Sequence, residues 1–306
     1  MNEDNVIYII SQPRSGSSLL QSLIASHTRV KTLPEPWIML ILTFGINNTK
    51  IIEADFNADF ARKAFQEFIS TISHGERYYQ NIINKSALSI YGKALKGSKE
   101  DMFLDKGTRY YHIIPELLDV MPNAKYVFLL RNPIAVFASI LETNMDGSWG
   151  NMFNTSDRCH DIFTGPHRLA EAVELYKGKE NVAITHYESL VRQPEVELKE
   201  ICNRIGIEYE ESMIGYEKFS ASQDTSFIDP KSLHEHKRPV DDYIKGWKRT
   251  LDTHNKIQIG HRYVDHLGSG LINNLGYDYT DIKSELNGIE KKDAIFSNEL
   301  WRYLLK

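Results

Sequence analysis

The chain predicts an α/β domain in three layers, a central, mainly parallel sheet of four or five strands with helices on both faces. Three observations carry that prediction. Val6-Ile7-Tyr8-Ile9-Ile10 is a β-branched and aromatic run without polar alternation, the pattern of a strand buried on both faces. Leu19, Leu20, Leu23 and Ile24 follow it at helical spacing. Further short apolar runs, at Met102–Asp105, Tyr126–Leu130 and Asn181–Thr185, alternate with helical stretches down the rest of the chain. With 306 residues, 42% of them hydrophobic, the chain can bury a substantial core. Without a repeat, low-complexity tract or linker, it reads as one domain over 1–306, with a helical insertion at about 56–97 and a C-terminal helical tail at about 281–306.

The first strand feeds the first helix through Gln12-Pro13-Arg14-Ser15-Gly16-Ser17-Ser18. Such a junction presents unpaired backbone N–H groups and the positive end of a helix dipole to one point. Ser15, Ser17 and Ser18 add hydroxyls, Gly16 admits a ligand to the backbone, and Arg14 adds a fixed charge. That combination is a phosphate cradle. The plainer alternative is a strand–turn–helix with a serine cap; Arg14 argues against it. No Gly-Lys-Ser/Thr follows, so the loop lacks the Walker A pattern of ATP kinases and NTPases.

Val30-Lys31-Thr32 reads as a short strand, left through Leu33-Pro34-Glu35-Pro36-Trp37. The two prolines disfavour helix at the residue before each, which extends the backbone around Glu35. From Phe56 to Gly97 the sequence reads as helices, with Phe60, Ala64, Phe65 and Phe68, then Tyr79, Ile82, Ile83, Leu88 and Tyr91, as core-facing stripes. The strand at Met102–Asp105 ends in Lys106, at the carboxyl end where open α/β sheets bind ligands. A helix over Ile113–Met121 leads to the Tyr126–Leu130 strand, whose end carries Arg131, with Ser139 in the helix beyond. Trp149 to Gly165 reads as a long mobile loop of the kind that forms lids. His160 within it and His167 after it are expected to face solvent. Helices are expected over Leu169–Lys177, Pro194–Arg204 and Asp252–Leu267.

Pro13-Arg14-Ser15-Gly16-Ser17-Ser18-Leu19-Leu20 resembles the 5′-phosphosulfate loop of sulfotransferases that use 3′-phosphoadenosine-5′-phosphosulfate (PAPS). Tyr126-Val127-Phe128-Leu129-Leu130-Arg131-Asn132-Pro133, with Ser139, resembles the 3′-phosphate-binding element of the same family. Smaller matches, including Tyr187-Glu188-Ser189-Leu190 and Leu275-Gly276-Tyr277-Asp278-Tyr279, extend the resemblance over most of the chain. It implies a P-loop-like sulfotransferase fold and in-line transfer of a sulfuryl group from PAPS to an acceptor hydroxyl, leaving 3′-phosphoadenosine 5′-phosphate (PAP). Glu35 matches, in spacing and context, the glutamate base of protein-tyrosine sulfotransferases. Asp105-Lys106 resembles the family's Asp-Lys-(Thr/Ser)-Pro segment, so Arg14 and Lys106 are expected to steady charge on the departing phosphate. Thr108 stands where cytosolic small-molecule sulfotransferases keep a histidine base, and that mechanism does not transfer.

The resemblance further implies donor contacts from Arg14, Ser15, Gly16, Ser17, Ser18, Arg131, Ser139 and Tyr187. Lys237, Arg238 and Lys245 are expected to close over the 3′-phosphate. Asp229-Pro230, His236 and Trp247 resemble a segment of sulfotransferase domains from olefin-forming polyketide systems. His236 is therefore a second candidate for the base, with His234 close behind. Ser232 alternatively resembles a nucleotide-contacting serine of the protein-tyrosine enzymes. Two other readings stand beside sulfuryl transfer: a phosphoryl-transferring P-loop enzyme, and a nucleotide-binding protein without catalysis.

Composition sets the remaining bounds. The net charge of −5, with both signs mixed, does not suggest a broad nucleic-acid or anionic-membrane surface. Two cysteines, Cys159 and Cys202, provide neither a disulfide framework nor metal-ligand spacing, and no metal is expected. The opening residues MNEDNV show no basic n-region or apolar h-region, so no secretory signal is expected, and the apolar run Trp37–Phe44 is far short of the roughly 18 residues that span a bilayer. A cytoplasmic protein acting on a hydroxyl-bearing acceptor is the expectation.

Overall fold

The computed structural model describes residues 1–33, 35–46, 58–144, 160–215 and 238–292. Five strands, β1 (Val6–Ser11), β2 (Val30–Thr32), β3 (Met102–Gly107), β4 (Lys125–Leu130) and β5 (Val182–His186), form one sheet in the order β2-β3-β1-β4-β5. Every pairing is parallel. The register sets Tyr8 beside Asp105 and Ile9 beside Lys106. All residues of β1 and β3 are buried, as unbroken apolar runs require of central parallel strands.

Among the described residues the main helices are α1 (Ser17–Ala25), α2 (Ile38–Leu42), α3 (Ala58–Ser70), α4 (Gly75–Ala94), α5 (Ile114–Val120) and α6 (Pro133–Asn144), followed by α7 (Gly165–Tyr176), α8 (Tyr187–Arg192), α9 (Pro194–Ile205), α10 (His254–Asn274) and α11 (Tyr279–Asn287), with a single turn at Trp247–Thr250. Because successive strand residues point to opposite faces, the sheet builds two cores. Tyr8, Ile10, Phe103, Tyr126 and Phe128 pack with Met39 and with residues of α4, α5 and α7. Ile7, Ile9, Leu104, Val127 and Leu129 pack with α1, α8 and α9. A third cluster joins α6 to α10, α11 and Trp247. Among the described residues no helix is long and apolar enough to cross a membrane.

Several expectations change. The α3 stripe is not core-facing as a whole: Phe60 and Phe68 are 70% and 63% exposed, and Ala64 is exposed with them. In α4, Ile83 and Tyr91 are buried, but Ile82 is exposed. His160 opens a π-helical turn, His160–Thr164, rather than lying in loose loop, although its side chain is exposed. The helix expected to end at Leu267 continues to Asn274, leaving helical geometry at Gly268 (φ 76°, ψ 159°). Cys202 is buried in the second core; Cys159 and the tail 293–306 lie outside the described residues.

Candidate active site

The carboxyl ends of β1, β3 and β4 meet at the loop before α1. Arg14 (φ 67°) and Gly16 (φ 88°) both take left-handed backbone conformations there, which folds the loop tightly over the helix N-terminus. Only glycine suits position 16, since a Cβ would sit 2.4 Å from Cδ2 of Tyr187. The Ser15 Oγ is buried without a hydrogen-bond partner among the described residues. A buried hydroxyl left in this way is costly unless a ligand completes it.

Arg14, Arg131, Ser139 and Tyr187 come together on one side of the loop. Arg131, at the end of β4, donates from Nη1 to the Arg14 carbonyl at 2.8 Å and from Nη2 to the Tyr243 carbonyl at 3.1 Å. Its guanidinium lies 4.2 Å from the centroid of the Tyr187 ring. Burial lowers its pKa, and its Nε has no partner among the described residues. Ser139 of α6 accepts from Arg14 Nε at 3.2 Å. Behind them, Glu188 accepts from the Asn132 N–H at 3.1 Å and from the Tyr277 hydroxyl at 2.7 Å, tying α8 to the end of β4.

On the other side stand Glu35, Lys106 and Ser18. Lys106 is 1% exposed, yet its Nζ lies 2.8 Å from Glu35 Oε1 and donates to Ser18 Oγ at 3.2 Å. A buried ammonium ion needs such partners. The other Glu35 oxygen accepts from the Trp37 indole at 3.1 Å and from the Thr108 hydroxyl at 3.3 Å. One lysine thus spans the gap between a carboxylate and the glycine-serine loop.

Sequence reasoning missed the support around this pair. Asp161 is fully buried and takes both Arg109 (2.9 and 3.3 Å) and the Tyr111 hydroxyl (2.7 Å), while its carbonyl accepts from Gln12 of the loop at 2.8 Å. Arg109 in turn lies 5.5 Å from the Trp37 ring centroid. Thr108, which stands where a histidine base is absent, donates its hydroxyl to Glu35. Nothing local in the sequence marks Asp161, whose partners lie far away along the chain.

Arg238 and Lys245 are exposed side chains on the segment whose Tyr243 carbonyl accepts from Arg131. Ser232, His234, His236 and Lys237 lie outside the described residues. His167 is exposed.

Comparison with known proteins bears on the family and the fold. The family described as the sulfotransferase family matches residues 6–211. The nodulation protein NoeE of Sinorhizobium fredii is 27% identical over 298 residues, covering 89% of this chain and 66% of that protein. Protein-tyrosine sulfotransferase A of Caenorhabditis elegans is 22% identical over 256 residues, covering 80% of this chain and 61% of that protein. The chain therefore spans less than two thirds of the length of either relative. Among solved structures, the sulfotransferase domain of the Synechococcus PCC 7002 olefin synthase matches with TM-score 0.55 at 23% identity, over 86% of this chain and 95% of that one. The sulfotransferase domain from the curacin biosynthetic pathway matches with TM-score 0.56 at 19% identity, over 91% and 99%. Both show the same fold.

Proposed function

This chain belongs to the sulfotransferase family, and on that premise we propose that it transfers a sulfuryl group from PAPS to an acceptor hydroxyl, with Glu35 as general base. The observation that carries the reading is the Glu35–Lys106–Ser18 chain, 2.8 and 3.2 Å long in its two steps. It joins a carboxylate to the loop that would hold the phosphosulfate. Had Glu35 and Lys106 pointed away from that loop, a nucleotide-binding protein without catalysis would be the better reading.

In this reading the acceptor oxygen forms a bond to sulfur as the bond between sulfur and the 5′-phosphate oxygen breaks. The acceptor proton passes to a Glu35 oxygen, and the electron pair of the broken bond stays on the phosphate of PAP. Lys106, Arg14 and the N–H groups at the start of α1 offset that developing charge, as positioned donors do in phosphoryl transfer. The Ser15 hydroxyl, without a partner among the described residues, and the backbone N–H groups at the start of α1 fit the 5′-phosphosulfate. Arg131, whose Nε has no partner among the described residues, and Ser139 fit the 3′-phosphate, Tyr187 the nucleotide. Protein-tyrosine sulfotransferases, by their name, act on a phenolic hydroxyl, and a phenol gives its proton to a carboxylate base more readily than an aliphatic alcohol does.

The test is incubation with PAPS carrying a radiolabelled sulfuryl group and a metabolite extract. Label is expected to move to a hydroxyl-bearing product in proportion to the protein added. Label that never leaves the donor, or phosphoryl transfer from ATP in its place, would contradict the proposal.

A further inference from the structure

The two faces of β3 grip the segment that carries Glu35 in different ways. Lys106 points to the face of α1 and holds the carboxylate itself. Asp105 points to the opposite face, into a cluster of Tyr8, Tyr91 and Tyr110, and none of these four side chains is exposed. Asp105 Oδ2 accepts from the Tyr91 hydroxyl at 2.5 Å and from the Tyr110 hydroxyl at 2.8 Å. The Tyr110 oxygen then accepts the backbone N–H of Met39 at 3.3 Å. Met39 is in the first turn of α2, where N–H groups have no partner within the helix. Tyr110 is therefore a side-chain cap for that helix, anchored on a buried acid.

What the cap restrains is a strained junction. Trp37, at the N-cap of α2, has φ 50°, a left-handed conformation that a bulky aromatic residue rarely adopts. Such strain persists only where surrounding contacts over-determine the backbone. The Trp37 indole is one of the donors on Glu35, so a shift of this junction moves the carboxylate.

We infer that Tyr110, seated on Asp105, is a positioning residue that fixes the Trp37–Met39 turn and through it the reach of Glu35 toward the acceptor oxygen. The inference rests on Glu35 being the base. Tyr110 touches neither donor nor acceptor in this role; it acts through the helix it caps.

Tyr91 supplies a matched control. Tyr91→Phe and Tyr110→Phe each remove one hydrogen bond from the same Asp105 oxygen, but the Tyr91 hydroxyl serves Asp105 and Tyr8 rather than the Glu35 segment. Both are expected to lower the melting temperature. Only Tyr110→Phe is expected to lower kcat, by about tenfold to a hundredfold, the cost of displacing a catalytic group by about 1 Å. PAP affinity should stay within about twofold of wild type in both. Asp105→Ala, which frees Tyr110 from behind, is the second variant and should reproduce the kcat loss if Tyr110→Phe does not fold. Equal kcat values in the two tyrosine variants, whether both fall or neither does, would overturn the inference. Glu35→Gln in the same assay separates the two readings. If it retains full kcat, the assignment of the base has failed; if it loses kcat while the tyrosine variants match, only the role of Tyr110 has failed.

Discussion

Gly16 shows how narrowly the loop is specified at the scale of one residue. Its backbone is left-handed, and a methyl group would meet the Tyr187 ring at 2.4 Å. That ring is also the platform under Arg131, so pushing it aside disturbs the arginine assigned to the 3′-phosphate. Gly16→Ala is expected to cost ~1–3 kcal/mol of stability, as overpacking does, and to weaken PAP binding at least about tenfold. Urea unfolding and titration calorimetry read the two effects. A variant as stable as wild type with unchanged PAP affinity would show that the loop and Tyr187 are not coupled. The sequence singles out this glycine for ligand access to the backbone, whereas the constraint found here is its left-handed backbone and the Tyr187 ring. Its contact with Tyr187 was not legible in the sequence, since the two residues meet only after the sheet has assembled.

At the scale of the element, strand β3 holds the Glu35 segment from both faces, through Lys106 on one and Asp105 with Tyr110 on the other. Burial pushes the Asp105 carboxyl from 3.8 up to about 6, helped by the nearby Glu35 charge and opposed by the Tyr91 and Tyr110 hydrogen bonds and by Lys106. Its folded value lies above its unfolded one, so the folded chain binds this proton more tightly. The stability it contributes is full below about pH 4 and lost as pH rises through about 6. The shift amounts to ~3 kcal/mol. Asp105→Asn cannot ionise, so unfolding midpoints measured across this range should show the variant gaining on wild type by up to that amount as pH rises. A gap that does not change with pH would mean that Asp105 is not buried as described. The strands themselves were legible: β-branched runs buried on two faces leave little alternative. The α3 stripe was not, because Phe60, Ala64 and Phe68 have the same helical spacing whether the face they form meets a core or water. The Asp161 cluster was equally hidden. Its Arg109, Tyr111 and Gln12 partners are set by tertiary packing across the ends of the sheet.

At the scale of the whole molecule, the parallel order β2-β3-β1-β4-β5 brings separate chain segments to one edge. The loop after β1, Lys106 of β3 and Arg131 of β4 arrive together because open α/β sheets gather their sites at the carboxyl ends of central strands. PAP, held by segments from several strands, is therefore expected to stabilise the fold as one unit. At about 100 times its dissociation constant it should add ~2.7 kcal/mol, whereas AMP, which lacks the 3′-phosphate, should add much less. Equal stabilisation by the two, read by thermal unfolding, would remove the basis for assigning Arg131 and Ser139.

The measurement that bears most directly on sulfuryl transfer through Glu35 is the rate of label transfer from PAPS by Glu35→Gln against wild type at saturating donor. The variant keeps the size of the side chain and one acceptor oxygen for Lys106, but takes up no proton. Turnover is predicted to fall by ~10²–10⁴, the usual worth of a general base, while PAP affinity stays nearly unchanged. Transfer by Glu35→Gln at the wild-type rate would contradict the account and pass the role of base to another residue, His236 first.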